Sequence, residues 1–148
     1  MADGVTELRE GLDELTGLVH SLPAEELERD TPDGWNARQV LAHLADFELV
    51  AAVRVRAVLS DERPPLATYG QEEFTGRFSR LETPDEALER IAVIRRSTLR
   101  VLEALEPADW ERVGVHPERG DETLRRTVHM LVRHERDHLE QLRAAARA

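Results

Sequence analysis

The chain has 148 residues, of which 41% are hydrophobic and 34% charged, and its 30 acidic and 20 basic side chains give a formal net charge of -10. This length fits a single domain over residues 1–148 that can bury its own core. The sequence has no cysteine, and all of its basic residues are arginine. These absences exclude disulfide scaffolds, thiolate metal sites, cysteine nucleophiles, Schiff-base lysines and P-loops.

The acidic balance bears on partners and location. Sequence-independent DNA binding and attachment to anionic lipid both need a basic surface, so we expect neither a nucleic acid nor a membrane as partner. Residues 1–10 lack the basic start and apolar core of a secretory signal. No stretch approaches the roughly 18 apolar residues of a spanning helix. A cytoplasmic protein is expected.

Helix-forming residues dominate and aromatic residues make up only 4% of the chain, which predicts an all-α fold. The first helix is predicted over residues 5–20, where leucine and valine recur every three or four positions. Residues 21–23 end it, residues 24–29 form a short extra turn, and Thr31-Pro32-Asp33-Gly34 is a turn cluster.

The second helix is predicted from Asn36, which can cap it together with Gln39, to about Ser60. Its apolar residues form a broad stripe along one side. The stretch over residues 61–81 is the longest connection in the chain, with a short helix expected over residues 71–80.

The third helix begins at Thr83, an N-cap followed by proline at the first helical position and glutamate at the third. Pro107 ends it, Trp110 anchors a turn, and residues 114–120 are predicted as a loop. The last helix is predicted over residues 121–146. Four long helices with apolar stripes predict a four-helix bundle, with its long connection between the second and third helices.

Two histidines lie on the inward face of the last helix. His134 and His138 are four residues apart and therefore project from the same face, one turn from each other. That face continues through Leu131 and Val128, which belong in the core. An imidazole pair buried there needs partners, because an unpaired buried polar group is costly.

The second helix also has a histidine on its apolar face: His43 lies among Val40, Leu44 and Phe47. Three imidazoles from two helices can supply three metal ligands and leave other coordination positions for water or substrate, which is typical of a catalytic metal site. Asp46, three residues after His43, is the nearest candidate to orient an imidazole or to join the ligands.

Other interpretations stay open at this point. An inward histidine is often simply hydrogen-bonded to backbone or carboxylate, and the spacing of His134 and His138 also arises by chance. The three remaining histidines rank lower, because they lie at a helix end, in a loop and on another side of the last helix: His20, His116 and His129.

Two charged residues near the apolar side of the second helix, Glu48 and Arg54, also have two interpretations each. Glu48 is a candidate base or ligand, but a pair with an arginine from another helix is favoured. Arg54 lies on nearly the same face as His43 and could meet an anionic substrate, but a solvated charge is favoured.

Two segments carry a family resemblance that extends over almost the whole chain. Residues 34–46 read GWNARQVLAHLAD, and residues 134–141 read HERDHLEQ, preceded by GDETL at residues 120–124. In order and separation they resemble the second-helix and last-helix motifs of the DinB-like (DinB/YfiT) superfamily of metal-dependent enzymes.

The resemblance implies a four-helix bundle that binds a divalent metal, commonly nickel or zinc, through histidines matching His43, His134 and His138. Homodimers are frequent in that superfamily. Members with known activity include thiol-dependent S-transferases and a maleylpyruvate isomerase, which use mycothiol, bacillithiol or similar low-molecular-weight thiols.

We therefore expect a metal-dependent transferase that activates such a thiol for S-transfer or isomerisation of a small-molecule substrate. A bound cation lowers the pKa of a thiol, so a chain without cysteine can perform thiol chemistry with a thiol cofactor. Two alternatives remain: a metal-dependent hydrolase that activates water, and a non-catalytic bundle with a structural metal and a protein partner.

Overall fold

Six α-helices and one short hairpin lie within residues 4–31 and 34–147, which are the residues that the computed structural model describes. The long helices are α1 (Val5–Ser21), α3 (Ala37–Ser60), α5 (Pro84–Glu103) and α6 (Leu124–Arg147). The shorter elements are α2 (Ala24–Glu28), α4 (Gln71–Phe78), a 3-10 turn (Pro107–Glu111), β1 (Val113–His116) and β2 (Gly120–Thr123). The predicted four-helix bundle is confirmed.

Local capping fixes the starts of α3 and α5 as the sequence predicts. Asn36 accepts a hydrogen bond from the backbone N–H of Gln39, whose side chain accepts from the backbone N–H of Asn36, each at 2.9 Å. Thr83 and Glu86 form the same reciprocal pair at the start of α5. Each pair satisfies two N–H groups that a helix start otherwise leaves unpaired. Of the predicted turn before α3, Pro32 and Asp33 lie outside the described residues.

Two apolar clusters fill the bundle, one toward each end. The first cluster joins the second half of α1, the first halves of α3 and α5 and the end of α6, with members such as Leu15, Leu41, Ile91 and Leu142. The second cluster joins the opposite halves, with members such as Leu8, Val55, Leu99 and Leu124. Helices α1 and α6 therefore run parallel to each other and antiparallel to α3 and α5. Such an order requires the long connection between α3 and α5, as predicted.

The prediction of a plain loop over residues 114–120 is wrong, because β1 and β2 pair as an antiparallel hairpin with Val113 opposite Thr123 and His116 opposite Gly120. Each strand has four residues, too few for an alternating pattern to stand out in the sequence. Helix α6 consequently begins at Leu124 rather than at residue 121.

The hairpin holds the long connection against the bundle. The backbone of Val115 accepts from Leu66 N–H at 2.9 Å and donates to Pro64 at 2.8 Å. Gly114 permits this approach, because a Cβ there would lie 2.5 Å from Leu66 and 2.9 Å from Val58. The connection and the hairpin thus become two walls of one cavity beside α3 and α6. Within residues 4–31 and 34–147, no helix is both long enough and apolar enough to cross a membrane.

Candidate metal centre

The structure brings the three predicted histidines together. His43 comes from the first third of α3, and His134 and His138 from one face of α6. One ring nitrogen from each lies within 4.8 Å of the other two, and the Nε2 atoms of His43 and His134 are 3.0 Å apart. Two antiparallel helices thus offer three imidazoles to one point.

The remaining ring nitrogens show how the imidazoles are oriented. Nδ1 of His43 lies 3.1 Å from the hydroxyl of Tyr69, and Nδ1 of His138 lies 2.8 Å from Oε1 of Gln141. An amide oxygen can only accept, so His138 carries its proton on Nδ1 and keeps the lone pair of Nε2 available. Nδ1 of His134 is buried and has no hydrogen-bond partner in the described part of the chain.

Burial keeps these imidazoles neutral. It lowers the pKa of His43 to about 4, with a smaller contribution from His138. It lowers the pKa of His134 to about 3, with smaller contributions from His138, His43 and Arg54, and it also lowers the pKa of His138. At neutral pH all three are therefore in the uncharged form that binds metal ions.

Aromatic rings flank the histidine cluster, by which we mean His43, His134 and His138. The ring of Phe47 stacks on His134 with 4.1 Å between centroids, and Trp35 packs against His43 at 5.0 Å. Trp35 also packs against the first apolar cluster. These rings pack against the imidazoles and limit their movement.

The cluster borders, through His134, a cavity of about 710 Å³ between α3, the long connection, the hairpin and α6, and Phe47 lines the same cavity. Its walls include His134, Arg54, Tyr69, His116, Glu122 and Met130. A cavity of this size suits a small molecule. His138 and Gln141 line a separate recess of about 390 Å³, so the histidine cluster is accessible from two directions.

A second buried polar cluster lies on the neighbouring residues of α3 and α6. Arg95, only 2% exposed, donates to both carboxylate oxygens of Glu48 at 2.7 and 2.8 Å, to Glu135, and to the backbone oxygen of Leu8 at 2.9 Å. The favoured interpretation of Glu48 as the partner of an arginine is thus confirmed. Gly11 gives Glu135 its room, because a Cβ there would lie 1.9 Å from its Oε1.

Asp46, the sequence candidate for orienting an imidazole, forms its ion pair with an arginine in the structure. It is buried one turn from His43, but Arg90 donates to its carboxylate at 3.0 Å. Tyr69 makes the contact with His43 instead. Sequence reasoning missed Tyr69 because it belongs to the long connection, whose path has no periodic pattern. Its only signal is that it is the single tyrosine of the chain.

The other histidines and Arg54 fall into three environments. His20 lies near Asp85 on the surface, at 3.2 Å, and His129 lines a cavity of about 470 Å³ that contains none of the clustered histidines. His116, ranked low from sequence, is buried in the wall of the larger cavity. The interpretation of Arg54 as a solvated charge is wrong: it is only 8% exposed and lines that same cavity.

Comparison with known proteins gives a family match over most of the chain: a model of the DinB superfamily matches residues 7–142. A protein of Bacillus licheniformis, named as a candidate metal-dependent hydrolase, is 30% identical over 134 residues, which cover 86% of this chain and 76% of that protein. A protein of Oceanobacillus iheyensis with the same kind of name is 28% identical over 106 residues, covering 72% of this chain and 62% of its own length.

Two solved structures share the fold. YfiT from Bacillus subtilis, described as a candidate metal-dependent hydrolase with an unusual four-helix bundle topology, superposes with a TM-score of 0.90 at 22% identity, over 97% of this chain and 84% of YfiT. A mycothiol-dependent maleylpyruvate isomerase superposes with a TM-score of 0.78 at 14% identity, over 96% of this chain. This chain spans 61% of the isomerase.

Proposed function

The chain belongs to the DinB superfamily, and on that premise we propose that it is a metal-dependent enzyme in which His43, His134 and His138 hold one divalent cation, nickel or zinc. The observation that carries this proposal is the convergence of three ring nitrogens within 4.8 Å of one another. Imidazole nitrogen suits both of these ions.

The residues present fit such an ion. A histidine that binds through Nε2 needs a proton on Nδ1 and an acceptor that fixes the ring. Gln141 is that acceptor for His138, and the hydroxyl of Tyr69 lies within hydrogen-bond distance of Nδ1 of His43. The low pKa values of His43 and His134, about 4 and about 3, keep their lone pairs available at neutral pH.

For the reaction, we propose that a low-molecular-weight thiol of the mycothiol or bacillithiol type is the nucleophile, used for S-transfer or isomerisation. A bound divalent ion lowers the pKa of a thiol and polarises a carbonyl group. The chain has no cysteine, so the thiol must enter with a cofactor, for which the cavity of about 710 Å³ provides room. The mycothiol-dependent isomerase with the same fold supports this choice.

The protein's own groups would shape the reaction. Phe47 and Trp35 would hold the imidazoles of His134 and His43 in place by packing against them. Tyr69 and Gln141 hold the rings of His43 and His138 in place. The cavity, whose wall includes His134, would hold the small-molecule substrate beside that imidazole.

A metal-dependent hydrolase is the second candidate, favoured by the names of the relatives from Bacillus licheniformis and Oceanobacillus iheyensis. Water would then take the position of the thiol. A non-catalytic bundle with a structural metal and a protein partner fits less well. Structural zinc sites are closed by four protein ligands, whereas the group found in the described residues has three members beside a cavity.

One assay separates these candidates. Purified protein, first stripped with chelator and then reloaded with nickel or zinc, is incubated with mycothiol or bacillithiol and an electrophile such as maleylpyruvate, and in parallel with ester and amide substrates. Thiol-dependent turnover that chelator abolishes supports the thiol transferase or isomerase. Metal-dependent hydrolysis without thiol supports the hydrolase, and no turnover in either series supports the non-catalytic bundle.

We also propose that the protein works as a cytoplasmic homodimer and binds no nucleic acid or membrane. The resemblance to a family rich in homodimers supports the proposed dimer. The net charge of -10 supports the proposed absence of nucleic-acid and membrane binding. Sedimentation velocity at several protein concentrations, with and without duplex DNA, tests the dimer and the absence of DNA binding.

A further inference from the structure

Arg54 differs from the other strongly buried arginine of the described chain in lacking an acidic partner. The guanidinium of Arg95 is held by two carboxylates. Arg54 is only 8% exposed, yet no carboxylate among residues 4–31 and 34–147 forms an ion pair with it. Its Nε donates to the backbone oxygen of Ala67 at 2.7 Å, and its guanidinium carbon lies 5.7 Å from the ring centre of Phe47. A buried cation without a counter-charge is costly.

The contacts of Arg54 leave one edge of its guanidinium available. Nε is used by Ala67, whereas neither terminal nitrogen is hydrogen-bonded to a described residue. These two nitrogens form a planar edge that matches the two oxygens of a carboxylate. Because the side chain lines the cavity of about 710 Å³, a ligand within this cavity can reach that edge.

The buried acid near Arg54 is already paired with other residues. Glu122, on β2, accepts from Arg119 at 2.9 Å and from the hydroxyl of Thr127 at 2.7 Å. The cavity wall also contains Glu118, which is exposed. Arg119 and Glu122 pair with each other, so Arg54 is the arginine of this wall without a hydrogen-bonded carboxylate in the described ranges. Its single positive charge is matched by a carboxylate, which carries one negative charge, better than by a doubly charged phosphate.

His116 supplies a second donor in the same wall. Its Nδ1 accepts from the backbone N–H groups of Glu118 and Arg119, each at 3.1 Å. Because burial lowers the pKa of His116, the ring is neutral and its proton sits on Nε2. No residue in the described ranges accepts from Nε2, so this N–H is available to a ligand.

We propose that Arg54, assisted by the Nε2–H of His116, binds a carboxylate of the small-molecule ligand whose other end lies at the histidine cluster. The proposal rests on the proposed function in placing that other end at a metal ion. Arg54, His116 and His134 all line the same cavity. The ring of Phe47 lies 5.7 Å from the guanidinium carbon of Arg54 and stacks on His134 with 4.1 Å between ring centroids, so one short ligand can span the two positions. The ligand class is thus a small carboxylate bearing a thiol or a carbonyl group.

Two probes of equal length test this proposal: 3-mercaptopropionate and its amide, 3-mercaptopropionamide. Each is titrated into cobalt(II)-loaded protein, and the sulfur-to-cobalt absorption band reports its Kd. We expect the wild type to bind the carboxylate at least tenfold more tightly than the amide. Arg54→Gln should abolish that preference. Arg56→Gln is the matched control, because Arg56, on the same helix, bonds Ser97 and Thr98 on α5 outside the cavity, and it should keep the preference.

Equal Kd values for the two probes in the wild type, or an undiminished preference in Arg54→Gln, would overturn the proposal. If Arg54→Gln does not fold, Arg54→Lys replaces it. Lysine keeps the charge without the paired N–H edge, so the preference for the carboxylate over the amide should fall several-fold. An unchanged preference would contradict the proposal.

A parallel measurement separates this proposal from the proposed function. Saturation-transfer NMR compares the same two probes with metal-free protein in chelator, where the wild type should favour the carboxylate and Arg54→Gln should not. If cobalt gives no absorption band but this preference persists, the proposed metal-dependent function is wrong and the proposed carboxylate site is supported. If the band forms but neither measurement shows a preference, the carboxylate site fails and the metal enzyme stands.

Discussion

Two buried polar clusters share helices α3 and α6, and they differ in how far the chain satisfies their polar groups. His134 and Glu135 are neighbours on α6, and His43 and Glu48 lie five residues apart on α3. The charge cluster of Arg95, Glu48 and Glu135 is satisfied by side chains and the backbone of Leu8. The histidine cluster presents three imidazoles to one point beside a cavity.

The difference separates a structural role from a ligand-binding role. Burying charge is tolerated where every charge has a partner within the protein, and the charge cluster meets this condition. It also fixes the rotation of α6, because Glu135 contacts α5 while the preceding residue, His134, faces α3. The charge cluster should therefore govern stability, and the histidine cluster should govern metal binding.

Replacing Arg95 should have the largest effect. Arg95→Met leaves two carboxylates buried without a counter-charge, which costs about 3–5 kcal/mol of the free energy of unfolding. Urea denaturation in the presence of chelator measures this loss, with the exposed Arg96→Met as control. A loss below about 1 kcal/mol would show that the charge cluster does not hold the bundle.

The free energy of unfolding of the metal-free protein should depend on pH because of the histidine cluster. The pKa of His43 is lowered from 6.5 to about 4, so between these values the unfolded chain takes up a proton that the folded chain does not. The free energy of unfolding should therefore fall as the pH drops from about 6.5 to about 4, by about 1 kcal/mol per pH unit for His43. Above pH 6.5 the effect vanishes.

The comparison for this pH dependence is His43→Asn, unfolded with urea in chelator at each pH. Asparagine has no group that titrates in this range, so the stability of the variant should change less steeply. The same slope in both proteins would mean that His43 is not buried as a neutral imidazole.

The residues that orient the imidazoles should have a smaller effect, confined to metal affinity. Gln141→Leu removes the acceptor from Nδ1 of His138, and Tyr69→Phe removes the hydroxyl near Nδ1 of His43. Each should weaken nickel or zinc binding about tenfold, or about 1.4 kcal/mol. Competition with a chromophoric chelator measures the affinity. Glu140→Gln, at a residue that bonds Arg143, should leave it unchanged.

The helices and the histidines were predictable because their signals are local. The capping pairs of Asn36 with Gln39 and Thr83 with Glu86 fix helix starts within four residues. The spacing of His134 and His138 places both on one face whatever the rest of the fold does. The bundle followed from these local patterns, and so did the meeting of His43 with α6.

The cavity wall was not predictable, because it depends on how the long connection and the hairpin fold back onto α3. Arg54 is buried where Ala67 of that connection passes over it, and Tyr69 reaches His43 from the same segment. Neither contact leaves a periodic pattern in the sequence. The partner of Asp46 was missed for a similar reason, since Arg90 reaches it from another helix.

The central claim is that the histidine cluster is a metal centre, and metal quantification tests it most directly. Protein made without a histidine tag is stripped, reloaded with nickel or zinc, freed of excess ion and analysed by mass spectrometry. The wild type should hold one divalent ion per chain, whereas the triple variant His43→Ala, His134→Ala, His138→Ala should remain folded and hold none. A wild type that retains no ion, or a triple variant that retains as much as the wild type, would contradict the claim.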